Sequence, residues 1–257
     1  MSAFSDRRYY LLVLGDPTKM ILKCKRINLV LVYSKLVKVN NCIFPEGIFY
    51  DIENFVWIKI NNDKTITIGI TAILASIAGK LSSIKLKKVG TELEKGKSIG
   101  TIESIKYFGV VRTPVSGRIA EINKAIIKRP KLVNDFPYTE GWIMKINASH
   151  LDKDLIALDT IENCHSKISY SIEELHIRCF AEFPDHEMFE IGVECAATLT
   201  KLGELMTKMS IGEVIHLVSD DQTADLEIDR WSYENGQSLL ETRREGNLFH
   251  FILKKIK

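Results

Sequence analysis

Lys106 lies in a short segment whose residues suit the presentation of a reactive amine. The segment Glu103–Gly109 separates two runs typical of β-strands, Thr101-Ile102-Glu103 and Val110-Val111-Arg112. A lysine at the tip of a tight β-hairpin projects its amine clear of the sheet, where a modifying enzyme can reach it. Most lysines are solvated surface charges, so the position alone does not establish a site. The segment makes Lys106 a candidate for covalent modification.

Cys195 precedes apolar residues that are spaced as on one face of a helix. Their spacing predicts an amphipathic helix over residues 196–210, with Leu199, Leu202, Leu205, Met206 and Met209 on the apolar side. A thiol at a helix N-terminus faces free backbone N–H groups and the positive end of the helix dipole, and both stabilise the thiolate. Cys195 is therefore a candidate sulfur nucleophile, and a buried inert cysteine is the alternative. Cys179, on a strand predicted over residues 176–180, is interpreted as a core residue or a resolving thiol.

Four segments can be distinguished along the chain. Residues 1–41 form an N-terminal extension with a predicted strand, Ile27–Tyr33, and a basic stretch that is either a solvated face or a docking surface. Residues 42–150 carry short strands roughly every 8–12 residues, separated by glycine-containing turns, which predicts an all-β sandwich or barrel. Within them, Thr71 is predicted to cap a short helix that ends at Gly79. Residues 151–170 are predicted to be a short acidic helix and a linker, and residues 171–257 a small α/β domain.

The composition excludes several classes of protein. Hydrophobic residues make up 46% and charged residues 26% of the chain, and the formal net charge is +2, so neither a disordered chain nor a nucleic-acid partner is indicated. No apolar run reaches the ~18 residues of a membrane helix. The five cysteines show no CxxC spacing, so neither a disulfide framework nor a metal site is expected. A reducing, cytoplasmic location is therefore expected. The phosphate-loop, zincin and nucleophile-elbow motifs of common enzymes are missing, so stand-alone catalysis is not expected.

Residues 42–147 resemble the glycine cleavage H protein and its lipoate-carrying relatives. The match rests on Glu103-Ser104-Ile105-Lys106 and on the eight-residue step from Lys106 to Pro114. Further matching segments are Phe44-Pro45-Glu46-Gly47, Trp57, Thr67-Ile68-Gly69-Ile70-Thr71, Gly79, Val89-Gly90, Lys95-Gly96, Pro114-Val115-Ser116-Gly117, Glu121-Ile122-Asn123, Asn134-Asp135-Phe136-Pro137-Tyr138 and Gly141-Trp142.

This resemblance implies a barrel-sandwich hybrid (lipoyl) fold with lipoate attached to Lys106 by a lipoate ligase. Glu103, Ser104 and Gly117 would support the motif. A biotin domain would place methionines beside the lysine, whereas Ile105 and Tyr107 flank Lys106.

The chain departs from the glycine cleavage pattern at positions that would contact the loaded arm. Phe55-Val56 stand where a His-Glu pair usually precedes the tryptophan, and Ile77 replaces a helix histidine. Burying a charged amine against Val56 and Ile77 would cost roughly several kcal/mol, so an uncharged sulfur-bearing arm is favoured. In the Ile105-Lys106-Tyr107-Phe108-Gly109 tip and the Cys42-Ile43-Phe44-Pro45-Glu46 start, the chain is similar to lipoate-binding proteins of cytoplasmic sulfur oxidation, which are thought to serve a heterodisulfide reductase-like complex.

Residues 174–255 resemble the TusA-like sulfur-carrier domain, an α/β two-layer sandwich. The match rests on Gly192, Cys195 and the 17-residue step from Cys195 to Gly212. In that family the cysteine carries a persulfide and begins a Cys-Pro-x-Pro motif, whereas Ala196-Ala197-Thr198 follow Cys195 here. The resemblance implies sulfurtransferases as partners, and a degenerate docking domain is the alternative.

Together these features predict a carrier that moves a sulfur species on a lipoyl-lysine arm, with an appended sulfur-carrier domain. A glycine cleavage H protein that carries the aminomethyl group for glycine decarboxylase is the second hypothesis. A pure interaction protein, with neither site modified, is the third.

Overall fold

A computed structural model describes residues 35–257 and the backbone of the strands Tyr9–Val13 and Met20–Cys24. The predicted strand Ile27–Tyr33 lies outside the described residues. The chain forms two compact units, Met1–Arg178 and Cys179–Lys257. In the part of the chain that the structure describes, every helix is too short or too polar to cross a membrane.

The first unit is built mainly from short β-strands, as predicted for residues 42–150. Its strands are β1 (Tyr9–Val13), β2 (Met20–Cys24), β3 (Leu36–Val39), β4 (Cys42–Pro45), β5 (Phe49–Asp51), β6 (Val56–Ile60), β7 (Ile66–Ile70), β8 (Leu81–Leu86), β9 (Glu92–Leu93), β10 (Ser98–Ser104), β11 (Phe108–Arg112), β12 (Gly117–Ile122) and β13 (Met144–Ala148). Its helices are α1 (Ala72–Ala78), α2 (Lys124–Lys128), α3 (Leu132–Asp135), α4 (Leu151–Leu155) and α5 (Ile161–Glu174).

Two sheets enclose the core of this unit. The larger sheet has the strand order β5-β6-β7-β13-β12-β9, and the smaller one has the order β11-β10-β8. Alternating strand residues point inward from both sheets, so Ile68 and Ile146 of the larger sheet join Ile84, Ile102 and Val111 of the smaller one in a single apolar cluster. All five are at most 4% exposed.

The first unit begins before the predicted boundary at residue 42. Strands β3 and β4 form an antiparallel hairpin in which Val39 pairs with Cys42. The two connecting residues, Asn40 and Asn41, have φ angles of 45° and 69°. A two-residue hairpin turn of this kind requires positive φ at both positions, and asparagine tolerates that conformation better than most residues. The predicted boundary therefore falls inside a hairpin.

Residues 151–170, predicted to be a short acidic helix and a linker, are helical over most of their length. The acidic helix is α4, but α5 then occupies residues 161–174 where a linker was expected. The helix buries Ile161, Cys164, Ile168 and Ile172, which recur every three or four residues among polar ones. The polar residues between them obscure this helical period in the sequence.

The second unit has the element order β-α-β-α-β-β. Its elements are β14 (His186–Glu190), α6 (Cys195–Lys208), β15 (Val214–Ser219), α7 (Ala224–Glu234), β16 (Ser238–Glu245) and β17 (Leu248–Lys254). The sheet order is β14-β15-β17-β16, with β14 and β15 parallel and the other pairs antiparallel. The helices pack Leu202 and Ile228 against Leu217 and Phe251 of the sheet. The predicted helix at Cys195 and the closing hairpin are both present.

The strand predicted over residues 176–180 is absent. This stretch has no regular secondary structure, and His176 has a φ of 50°, which breaks an extended backbone. Cys179, at the end of this stretch, and Cys42 are both disulfide-bonded. The expectation of no disulfide is therefore wrong for these two cysteines, and Cys179 is not available as a free resolving thiol.

Asn134 provides a test of the packing around α1. Its side chain is 5% exposed, accepts a hydrogen bond from Leu81 N (3.0 Å) and donates to Ala75 O (3.2 Å) and Gly79 O (2.8 Å). We expect Asn134→Ala to lower the free energy of unfolding by about 2–4 kcal/mol, because three buried backbone groups each lose a hydrogen bond.

Urea unfolding of the Trp231→Phe variant, in which fluorescence reports on Trp57 and Trp142 of the first unit, measures this loss. The matched control is Asn147→Ala on the exposed side of β13, which should stay within about 0.5 kcal/mol of the parent. Equal losses in both variants would contradict the role given to Asn134.

Candidate functional site

Lys106 lies in the turn between β10 and β11, and its side chain is exposed. The strands pair as far as Glu103 and Phe108, and Ser104 N then donates to Tyr107 O at 2.8 Å. The turn is therefore only a few residues long. Ile105 on one side of Lys106 is fully exposed. The structure thus places the amine at a hairpin tip, which is the geometry that the sequence indicated.

Ser104 fixes the hairpin tip to the end of helix α1. Its hydroxyl donates to Ala78 O at 2.6 Å and accepts a hydrogen bond from Lys106 N at 3.2 Å. One side chain therefore links the helix end to the backbone of the lysine. This gives a physical role to a residue that the sequence offered only as part of a motif. Glu103, the preceding motif residue, is exposed on the outer face of β10.

Gly79 leaves the space in which the Lys106 side chain lies. A Cβ atom at Gly79 would be 2.6 Å from Lys106 Cε, 3.5 Å from Nζ and 3.6 Å from Cδ. Gly79 also closes α1 with a φ of 69°, which other residues rarely adopt. The aliphatic part of Lys106 therefore rests on the helix end. Sequence reasoning recognised Gly79 as a helix end but not as the seat of the lysine.

The segment Asn134–Tyr138 holds both ends of α1. The Asn134 amide binds Ala75 O and Gly79 O at the helix end, and Tyr138 Oη accepts a hydrogen bond from Ala72 N at 3.1 Å at the helix start. Burial raises the pKa of Tyr138, so its hydroxyl stays protonated. The sequence indicates this segment only through the family resemblance and does not reveal its role in positioning the helix.

The positions that replace the polar groups of the glycine cleavage pattern differ in exposure. Val56 is wholly buried in the core, so the expectation that it lines a cleft is wrong. Phe55, with a φ of 51°, and Ile77 are half-buried and remain apolar surface. Ile77 lies two residues before Gly79 and is therefore close in the chain to the seat of Lys106.

Gly117 has a packing role rather than a chemical one. It pairs with Leu93 and Ala148 in the larger sheet, and a Cβ atom there would lie 2.2 Å from Asn147 O. Any other residue would push the neighbouring strand away. Gly117 therefore supports the fold beneath the site without touching the lysine turn.

Cys195 is the first residue of α6, as predicted, but its surroundings do not favour the thiolate. Its side chain is 8% exposed, and its N–H donates to Asp221 Oδ2 at 2.9 Å. Burial raises the pKa of the Cys195 thiol, and the carboxylates of Asp221 and Glu227 raise it further, against smaller opposing effects of Thr223 and Arg230. The helix start is thus already occupied by an anion, and the expected stabilisation of the thiolate is not found.

A hydrogen bond between Gly192 and Asp220 holds the turn that precedes α6. Gly192 has a φ of 70° and donates from its N–H to Asp220 Oδ1 at 2.8 Å. Asp220 and Asp221 follow β15, so this strand end and the α6 start are joined by side chain to backbone bonds. Gly192 is therefore a structural residue of the turn.

The remaining described thiol, Cys164, is an unsuitable nucleophile. It is buried in α5, and desolvation raises its pKa to about 11. Among the described residues, no cluster of three or more His, Cys, Asp or Glu side chains is placed to hold a metal ion.

Comparison with known proteins places the first unit in a family. The profile of the glycine cleavage H-protein family matches residues 48–170. Glycine cleavage system H protein 2 of Aquifex aeolicus is 38% identical over 148 residues, which are 58% of this chain and 92% of that protein.

Two further proteins are similar to this chain. The probable glycine cleavage system H protein 2 of Sulfurisphaera tokodaii is 38% identical over 56% of this chain and 98% of its own length. The crystal structure of a glycine cleavage system H protein from Mycobacterium marinum covers 52% of this chain and 100% of that chain, with 25% identity and a TM-score of 0.42. Members of the glycine cleavage H-protein family carry lipoate on a lysine and have no catalytic activity of their own. Because the Aquifex aeolicus protein matches at 38% identity over 92% of its own length, this chain belongs to that family.

Proposed function

We propose that Lys106 is the lipoylated lysine of a carrier that moves a sulfur species in cytoplasmic sulfur oxidation, toward a heterodisulfide reductase-like complex. The observation that carries this proposal is the exposed amine at the β10–β11 tip, seated on Gly79 and fixed by Ser104. Membership of a lipoyl-carrier family supports the cofactor.

The site fits an acyl group on Lys106 Nζ. The exposed amine is accessible to a modifying enzyme, and the bare backbone at Gly79 gives the lysine stem a defined path along the helix end. Lipoate, once attached as an amide, supplies a dithiolane that can be reduced and can hold a group on sulfur. The chain itself contributes the fixed base from which the arm swings, through Ser104 and the α1 end.

Replacing Lys106 tests the attachment site directly. A lipoate–protein ligase supplied with lipoate and ATP should add about 188 Da to the intact chain, and Lys106→Arg should remove this increment, because arginine keeps the charge but cannot form the amide in this way. Intact-mass spectrometry reads both. Lys97→Arg, an exposed lysine of the same unit, is the control and should be loaded fully. Loading of the Lys106→Arg variant would refute the assignment.

The apolar residues near α1 support a sulfur cargo rather than an aminomethyl group. Ile77 and Phe55 are half-buried and offer no hydrogen-bonding side chain to a charged amine. Packing an ammonium against such a surface would cost roughly several kcal/mol, whereas an uncharged thio-substituted arm loses little. The wholly buried Val56 adds nothing to this argument.

Aminomethyl transfer is the second candidate, because the similar proteins bear the name glycine cleavage system H protein. Three of them come from one organism, Aquifex aeolicus, so one cell holds several members of the family. Such multiplicity leaves room for members with different cargoes.

Glycine decarboxylase separates the two candidates. The chain with its lipoyl arm in the oxidised disulfide form, incubated with glycine decarboxylase and glycine without added reductant, should acquire no methylamine, since Ile77 stands where the glycine cleavage pattern has a helix histidine. An established H protein is the positive control, and mass spectrometry is the measurement. Loading at a rate comparable to that control would establish the aminomethyl carrier and overturn the sulfur proposal.

For the second unit we propose a TusA-like sulfur-carrier role, with Cys195 as the acceptor and a docking domain as the alternative. The position of Cys195 at the start of α6 in the β-α-β-α-β-β unit supports it. The raised pKa of the thiol opposes it at neutral pH, because the thiolate is the nucleophilic form. Sulfur transfer to Cys195 would therefore be faster when a neighbouring carboxylate is neutralised or displaced.

Removing the charge of Asp221 should make Cys195 more reactive. Asp221→Asn keeps an oxygen acceptor for the Cys195 N–H but removes a carboxylate that raises the thiol pKa, so we expect alkylation by iodoacetamide at pH 7.5 to accelerate about threefold. In the parent chain the rate should keep rising above pH 9, because the thiol pKa lies above its ordinary 9.0.

Site-resolved mass spectrometry follows the alkylation of Cys195 separately from that of Cys164, the other free thiol among the described residues. Asp225→Asn, on the exposed side of α7, is the matched control and should leave the rate unchanged. A slower reaction of Asp221→Asn would contradict the electrostatic explanation. Absence of a gain of about 32 Da after treatment with a persulfide donor would favour the docking domain.

A further inference from the structure

We propose that the outer face of the β8–β10–β11 sheet is the surface by which the acylating enzyme recognises this chain, and that the enzyme meets it with an apolar surface bordered by acidic groups. We call this face the tip face and define it by Phe108, Val110, Lys85 and Arg112, with Ile105 at its end. The inference deepens the proposed function and rests on Lys106 being the acylated lysine.

The tip face is apolar where it adjoins Lys106. Phe108 is 69% exposed and Val110 is 45% exposed, and strand alternation puts both on the side opposite the buried Val111. Ile105, next to Lys106, is fully exposed. A cluster of large apolar side chains in water beside a reactive amine is typical of a surface that a partner covers. The fold does not need them, since the core of this sheet faces the other way.

The same face is basic away from the tip. Lys85 pairs with Thr101, and Thr101 pairs with Val110, so one row across the sheet runs from a cation to an apolar side chain. Arg112 lies one outward position beyond Val110 on β11 and donates to a carbonyl, Gly96 O, at 3.0 Å. Neither cation has a carboxylate partner among the described residues.

The acidic residue of these three strands is Glu103, which lies opposite Phe108 at the tip end. Glu103 therefore lies beside the turn, whereas Lys85, in the row of Val110, and Arg112, one outward position further, lie toward the far end of the tip face. A complementary partner places acidic groups over that far end and an apolar surface over Phe108 and Val110.

The chemistry of acylation identifies the occupant. The Lys106 amine must lose a proton and attack the carbonyl carbon of an activated acyl group, such as a lipoyl adenylate, so that the C–N amide bond forms while the C–O bond breaks and AMP leaves. The acylating enzyme must therefore bring its own acyl carbonyl into bonding distance of Nζ and cover the neighbouring residues. A protein that reacts with the distal end of the arm has no such need, because it meets the arm many bonds away.

Acylation kinetics test the proposal on the full chain. With lipoate, ATP and a lipoate–protein ligase that acylates the parent chain, Phe108→Thr and Lys85→Glu should each lower kcat/KM at least about fivefold, mainly through KM. Added salt should slow the parent, because it screens the attraction to Lys85, and should slow Lys85→Glu less. Both residues are exposed, so the fold should tolerate the changes.

Matched controls lie on β6 in the larger sheet. Ile60 is 42% exposed and Lys59 is exposed, so Ile60→Thr and Lys59→Glu repeat both changes away from the tip face and should stay within about twofold of the parent. Unchanged kcat/KM in both tip-face variants, or equal losses in the controls, would overturn the inference while leaving Lys106 as the acylated lysine. Failure of the parent chain itself to accept lipoate would instead overturn the proposed function.

Discussion

The contact between the β10–β11 tip and the end of α1 determines what this site can do. A two-stranded hairpin tip by itself would be mobile in solution, since a hairpin has few contacts beyond its own hydrogen bonds. Here the Ser104 hydroxyl is bound to Ala78 O at 2.6 Å, and the Lys106 stem lies on Gly79. The backbone under the lysine is therefore fixed, while the lysine side chain is exposed. A carrier needs this division, because a fixed base defines where the arm starts and a free end lets it reach.

The α1 end can serve as this support only because it is itself held. Asn134 satisfies the last carbonyls of the helix and the first N–H of β8, and Tyr138 binds the first helical N–H. Buried polar groups of this kind stabilise a structure only when all are paired, so the amide of Asn134 has little freedom to be replaced. Trp57 adds to the same region, since its Nε1–H donates to Ile70 O at 2.9 Å and to Pro137 O at 3.1 Å. The segment that contains Asn134 thus holds α1 in place, and the end of α1 in turn holds the turn that carries Lys106.

Local signals predicted much of this arrangement, and contacts between distant residues account for what they missed. Strand alternation and the Thr71 and Gly79 caps placed the hairpin and α1, because those features depend on neighbours in the chain. The role of Asn134 depends on partners more than fifty residues away, which no spacing rule reveals. The Asn40-Asn41 turn could have been found from its residue types alone, but its strands are short.

The two candidate sites of this chain differ in their exposure to solvent. Lys106 is exposed, and under our proposal its acylation depends on which enzyme recognises the surface around it. Cys195 is nearly buried, and Asp221, 26 residues later in the chain, occupies the helix start that would otherwise stabilise a thiolate. The sequence correctly put the thiol at a helix N-terminus, but the sign of the local field was set by a residue that only the fold brings there. Neutralising or displacing that carboxylate would raise the thiolate fraction of Cys195, whereas the Lys106 side chain already lies exposed.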